Sequence, residues 1–390
     1  MSCWSSPRAC PRGPGADSLV DGAGFVEPGY ATGGVTIGDV LPAVTAALGI
    51  GSGGTLTLPP APSFVVMLVD GLGYDLLAEH RSQAPFLHSL LGEPATCGVP
   101  STTATSLTSL GTALTPGQHG LVGFTSRVPE TGELLNSLFW DQPVDPLQWQ
   151  PHRTAFEAME LAGVHTQVVS KREFEGSGLT RCGQRGAAFV GADGVAERVA
   201  GAVAGAARRP SLTYVYDGDL DWHGHRAGVD SSRWRSQLRD IDEDVQELRD
   251  ALPDEVRLVV VADHGMVDSV ESTRFDIDSE PALRDGLTLL GGEARFRHVY
   301  CHSGAVEDVA ATWAEVLGER ADVLTREQAV ERGWFGPVDA GVRPRLGDVV
   351  VAARDEWALF SSKDFEYETT LVGLHGSLTP REMHIPILVC

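Results

Sequence analysis

Five short stretches of the chain hold residue types that can bind a cation or attack an electrophile. The apolar run FVVMLVD ends in Asp70, followed by glycines at 71 and 73. A carboxylate there can ligate a hard or borderline cation, and glycine lets the chain turn tightly beside it. The same aspartate could instead cap the helix that follows. In YVYDGDLDWHGHRAG, residues 214–228, the acids Asp217, Asp219 and Asp221 and the imidazoles His223 and His225 crowd together. Asp221 and His225 are spaced i, i+4, which lets both meet one ion on a helical turn or tight loop. A solvated acidic loop would have the same composition. Asp263 and His264 leave the apolar run VRLVVVAD together, where charge demands a partner. His375 stands in GLHGS ahead of the last apolar run, and a lone histidine of this kind is often structural.

The fifth stretch, VPSTTATSLTSLGTALTPGQHG over 99–120, is rich in hydroxyls and enters a helical pattern. Thr103 and its neighbours are expected near a helix N-terminus, where backbone N–H groups favour an anionic phosphoryl group. A nearby metal would lower the pKa of such a hydroxyl and make it a nucleophile. A threonine capping the helix is the plainer alternative, and Thr102 competes with Thr103. Taken together, Asp70, Asp221, His225, Asp263, His264 and His375 supply nitrogen and oxygen ligands from four separated loops. Two cations about 4 Å apart, each with roughly three protein ligands, need such an inventory.

These loops must be held by a scaffold. Near-continuous apolar runs at 64–70, 165–170, 211–217, 256–263, 347–353 and 384–389 read as short buried strands, and helical stretches lie between several of them. The alternation predicts an α/β fold, a mainly parallel central sheet with helices on both faces. In such sheets ligands gather beyond the carboxyl ends of the strands. Residues 36–49 read as a short helix, 285–345 as a small α+β insertion or cap, and 1–33 as a flexible tail ahead of a catalytic domain over 34–390.

The 390 residues carry a net charge of −23. That surface repels nucleic-acid backbones and anionic membranes, but bound cations can reverse the field locally for a small phosphorylated substrate. No apolar stretch approaches the ~20 residues of a membrane span. The six cysteines show no zinc-knuckle or redox spacing, and reduced thiols in a cytoplasm are expected.

The ordered set Asp70, Pro100-Ser101-Thr102-Thr103, Asp221-Trp-His-Gly-His225-Arg-Ala-Gly228, Asp263-His264-Gly265-Met266 and His375-Gly376 resembles the alkaline phosphatase superfamily. Within it, the set is similar to the nucleotide pyrophosphatase/phosphodiesterase, or type I phosphodiesterase, family over roughly residues 60–390. The resemblance implies an alkaline phosphatase-like fold and two Zn2+ ions. One would be held by Asp221, His225 and His375; the other by Asp70, Asp263 and His264, with Thr103 bridging to it as the nucleophile. The segment Pro116-Gly-Gln-His119-Gly120 also resembles the family and supports Thr103 over Thr102. Ser106 stands where the vertebrate enzymes carry an asparagine, with an implied contact to a phosphoryl oxygen.

The implied reaction is hydrolysis of a phosphodiester or pyrophosphate through a phospho-threonine, on a small substrate for which a nucleotide is one candidate. A phosphomonoesterase of the same superfamily, a phosphoryl-transfer mutase and a silent metal-binding protein of the same fold are the alternatives. A sulfatase is disfavoured, because Cys97-Gly-Val-Pro100-Ser has the wrong spacing and no arginine. Lys171, Arg172 and Arg181 are candidates for meeting an anionic substrate tail.

Overall fold

The computed structural model describes residues 24–390. Ten strands, numbered here in chain order, frame the site: β1 (Ser63–Val69), β2 (His165–Ser170), β3 (Ala188–Gly191), β4 (Ser211–Asp217), β5 (Val256–Val261), β6 (Leu287–Glu293), β7 (Phe296–Cys301), β8 (Ala321–Thr325), β9 (Val349–Ala353) and β10 (Ile387–Val389). The principal helices are α1 (Thr103–Thr112), α2 (Val195–Ala206), α3 (Asp219–Ala227), α4 (Ser232–Ala251), α5 (Val306–Leu317) and α6 (Arg326–Glu331).

The central sheet runs β10-β5-β1-β4-β2-β3. All its pairings are parallel except β10 on β5, so the expected α/β architecture is the one observed. Every residue of β1 is buried, as a strand covered on both faces requires. Register decides what comes next. Val69 of β1 lies opposite Asp217 of β4, and Leu68 lies opposite Val261 of β5. The three strands therefore end nearly flush, and the segments that follow them emerge side by side on one edge.

Strands β6, β7, β9 and β8 form a second, antiparallel sheet in that order, with its own apolar core around Val299, Trp313 and Val351. The span expected as a small insertion or cap, 285–345, holds β6, β7, α5, β8 and α6, and β9 continues the same sheet to Ala353. The run at 347–353 does not join the central sheet: it is β9, at the middle of the second one. A strand covered on both faces reads as the same apolar run in either sheet, which is why sequence could not assign it. Two ion pairs sealed from solvent tie this lobe to the C-terminal segment, Arg295 with Glu382 and Arg297 with Glu368.

The flexible tail expected through residue 33 lies outside the described residues as far as residue 23. From there the expectation is corrected: Phe25 and Val26 are buried in the main core, and Val26 N–H donates to Leu378 O at 2.8 Å. Apolar side chains drew this segment onto the fold despite its glycines and prolines. Cys97, Cys182, Cys301 and Cys390 are free thiols, and Cys3 and Cys10 lie outside the described residues. No helix among the described residues is long and apolar enough to cross a membrane.

Candidate metal and phosphoryl-transfer site

Asp70 follows β1 directly, and its N–H donates to Asp217 O at 2.8 Å, continuing the ladder by one step. Gly71 then turns with φ +74°, and a Cβ there would come within 3.1 Å of Asp221 Cβ, so glycine is what lets α3 approach. Asp263 and His264 leave β5 in the same way. Gly265 admits the backbone of Arg381, whose oxygen would sit 2.0 Å from an added Cβ. Asp221 and His225 are one turn apart on α3.

The six expected ligands converge. His225 Nε2 lies 3.3 Å from Asp221 Oδ2 and 3.3 Å from His375 Nε2. His375 Nε2 is 3.8 Å from Asp221 Oδ1. Beside that trio, His264 Nε2 lies 3.4 Å from Asp70 Oδ1 and 3.6 Å from Asp263 Oδ2. His264 is the hinge between the trios, since its ring nitrogen also groups with Asp221 and His375 within 4.8 Å.

The imidazoles are prepared as ligands. Nδ1 of each faces a backbone carbonyl, which can only accept: Gly373 O for His225 at 2.8 Å, Gly265 O for His264 at 2.9 Å and Ser101 O for His375 at 3.0 Å. Each Nδ1 therefore carries a proton and each Nε2 is aimed at the cluster, where it can offer a lone pair to a cation. For His225, burial is outweighed by Asp221, which raises this imidazole, and the cation would displace the proton that Asp221 favours. The carboxylates are prepared likewise. Asp263 Oδ1 accepts from the N–H groups of Gly71 and His264, while Asp263 Oδ2 has no donor among the described residues. Asp70 Oδ1 and Asp221 Oδ1 are buried and without a donor too. Three orphaned anionic oxygens and three aimed lone pairs around one space fit divalent cations, and mixed imidazole–carboxylate ligation is what zinc takes.

The electrostatics agree. Burial pushes the Asp70 carboxyl well above its ordinary range, and the charges of Asp263 and Asp221 push it further. Asp263 is raised by burial in spite of His264. Burial also raises Asp221, but His225, His375 and His264 outweigh it and hold this carboxyl low. An acid pair raised for want of positive charge is relieved by a cation.

Thr103 is the first residue of α1, and its hydroxyl lies 3.2 Å from His264 Nε2. Thr102 lies instead beside the carboxyl of Glu293. The structure therefore puts Thr103, not its neighbour, against the ligands. The Pro100–Thr103 segment is docked on the His375 loop, with Ser101 N–H donating to Gly376 O at 3.1 Å and Ser101 Oγ–H to Ser377 O at 2.6 Å. Ser106, one turn on from Thr103, is buried beside the Cys97 thiol, and its hydroxyl has no hydrogen-bond partner among the described residues. His119 braces α1 through a 2.9 Å bond between its Nε2 and Ser109 Oγ.

Other members of the acidic cluster serve elsewhere. Asp217 pairs with Arg198 at 2.7 Å and Asp219 with Lys171 at 2.9 Å. Arg172 pairs with Asp193 and Glu197, and Arg181 with Asp145, all on the surface. These acids consume the cations expected to meet a substrate tail.

Two residues at the site escaped the sequence reading. Tyr216 donates its hydroxyl to Asp70 Oδ2 at 2.5 Å. Glu293, from the second lobe, lies 3.7 Å from His375 Nδ1, and burial pushes its carboxyl up to about 8. The signal for Glu293 was the run of charge in GGEARFRH, where Glu293 ends β6, Arg295 stands in the turn and Arg297 lies on β7.

No curated protein matches this sequence. Among solved structures, murine ectonucleotide pyrophosphatase/phosphodiesterase 5 superposes with a TM-score of 0.67 at 20% identity, covering 84% of this chain and 87% of that one. The human protein of the same name gives 0.65 at 20% identity with the same coverage. An inactive threonine-to-alanine variant of the murine protein, in complex with AMP, gives 0.68 at 19% identity, again with coverage of 84% and 87%. These likenesses establish the shared fold. The family model for type I phosphodiesterase/nucleotide pyrophosphatase matches residues 64–378, from β1 through the His375 loop, and the chain therefore belongs to that family of hydrolases.

Proposed function

We propose that this protein hydrolyses a phosphodiester or pyrophosphate bond by double displacement at Thr103, within a pair of zinc sites formed by Asp221, His225 and His375 and by Asp70, Asp263 and His264. The observation that carries the reading is the Thr103 hydroxyl 3.2 Å from His264 Nε2, at the mouth of a helix, among orphaned carboxylate oxygens. Bound cations would neutralise phosphoryl charge and lower the pKa of the attacking hydroxyl.

The chain's own groups do the rest. Thr103 Oγ forms a bond to phosphorus as the leaving oxygen departs with its electron pair, and water then cleaves the phospho-threonine to restore the hydroxyl. The N-terminal N–H groups of α1 face the phosphoryl oxygens. The inactive threonine variant of the structural neighbour supports a threonine nucleophile, and its AMP supports a small nucleotide as substrate class.

Diesters are favoured over monoesters because Lys171, Arg172 and Arg181 are already paired with acids, leaving them unsuited to the second negative charge of a monoester. The test is turnover of bis-p-nitrophenyl phosphate against p-nitrophenyl phosphate by zinc-loaded protein. Faster diester cleavage is expected, and the reverse preference would overturn the diester reading.

A further inference from the structure

Tyr216 is used by nothing in the mechanism above. It sits one residue before the end of β4, opposite Leu68 of β1, so its hydroxyl meets the side chain that follows β1. It donates to Asp70 Oδ2 with an O···O distance of 2.5 Å. Phe174 packs edge-on against its ring, with centroids 6.0 Å apart and planes at 76°, and this contact steadies the ring. In that contact the phenol is the donor, because a carboxylate oxygen can only accept. The consequence falls on Asp70. One oxygen is occupied by Tyr216, and the other, Oδ1, is bare and lies 3.4 Å from His264 Nε2.

We propose that Tyr216 is a positioning residue for a divalent cation held by Asp70, Asp263 and His264, committing Asp70 to offer Oδ1 alone as a one-oxygen ligand. This rests on the paired-cation reading above. The backbone N–H groups of Gly71 and His264 do the same for Asp263, so both carboxylates of this position are aimed by a fixed donor on the far oxygen. Partners of this kind, acting one step behind a ligand, typically change metal affinity 10–100-fold, that is by about one to two orders of magnitude.

The test is competition between metal-free protein and a chromophoric zinc chelator, with the zinc-induced rise in unfolding temperature measured in parallel. Wild type is expected to bind two ions. Tyr216→Phe should bind one as wild type does and the other about 10–100-fold more weakly, with a smaller zinc-induced rise. A merely structural tyrosine would lower the metal-free and zinc-loaded unfolding temperatures together and leave the rise unchanged. Tyr214→Phe is the control, because the Tyr214 hydroxyl is buried on the same strand without a partner among the described residues. Two wild-type affinities in Tyr216→Phe, an unchanged rise, or an equal loss in Tyr214→Phe would overturn the proposal. Fewer than two ions in wild type would instead bring down the paired-cation reading, and this inference with it.

Discussion

His264 and His375 lie face to face, with ring centroids 3.7 Å apart and planes 19° from parallel. One follows β5 and the other comes from the C-terminal loop, yet both tie Nδ1 to a carbonyl and turn Nε2 to the same space. Burial and the adjoining His264 keep His375 well below the ordinary histidine range. With Nδ1 bound to a carbonyl in each, the two stacked rings turn Nε2 outward as candidate lone-pair donors, and that arrangement links the fold to its chemistry.

Removing those donors should remove metal. His375→Ala or Asp221→Ala is expected to lower bound zinc by about one ion per chain and turnover by at least about 100-fold. Metal analysis after gel filtration, with turnover measured alongside, checks this. Full stoichiometry in both variants would show that the trio does not ligate.

Thr103→Ala should lower turnover by about 1,000-fold or more with zinc content intact, because only the nucleophile is lost. Thr102→Val should retain most of the activity, since Thr102 faces Glu293. Trapping phosphate on the wild-type chain, followed by peptide mapping, distinguishes the two residues.

Ser106→Ala should change turnover by less than about 3-fold, because the hydroxyl is fully buried beside the Cys97 thiol. A loss of the order of 100-fold would restore the phosphoryl contact implied by its sequence position.

The sealed pair between Arg295 and Glu382 braces the loop of His375, for Glu382 also accepts from Ser377 N–H at 3.0 Å and from Thr379 Oγ–H at 2.5 Å. Glu382→Ala leaves a buried guanidinium without its partner and should cost about 3–5 kcal/mol. Denaturant unfolding of the metal-free protein measures this. A change below about 1 kcal/mol would mean that water replaces the carboxylate.

Acid should destabilise the fold partly through two buried histidines. Burial lowers His119 to about 3 and His298 to about 4, from an ordinary 6.5. Each accepts a backbone N–H on Nδ1, from Leu121 and Gly347 respectively. A depressed pKa gives stability that is present above 6.5 and lost as pH falls toward the folded value, because the unfolded chain takes up the proton first. The loss is on the order of 3 kcal/mol for each between pH 6.5 and about 4. In His298→Gln the slope of stability against pH over that window should be shallower than in wild type. An unchanged slope would remove His298 from the account.

The sequence by itself determined which acids and imidazoles gather at one edge of the sheet. Asp70, Asp263 and His264 follow apolar runs that can only be buried strands, and Asp221 with His225 has helical spacing, so both facts are local and readable. Only tertiary structure decided that Thr103 rather than Thr102 faces the ligands, because both hydroxyls enter the same helix and the difference is set by Glu293 from another lobe. It alone decided that Asp217 and Asp219 leave the cluster for Arg198 and Lys171, and that β9 belongs to the second sheet. Tyr216 was hidden for the same reason. Its partner Asp70 is remote in sequence, and the contact exists because β1 and β4 pair in one register out of many.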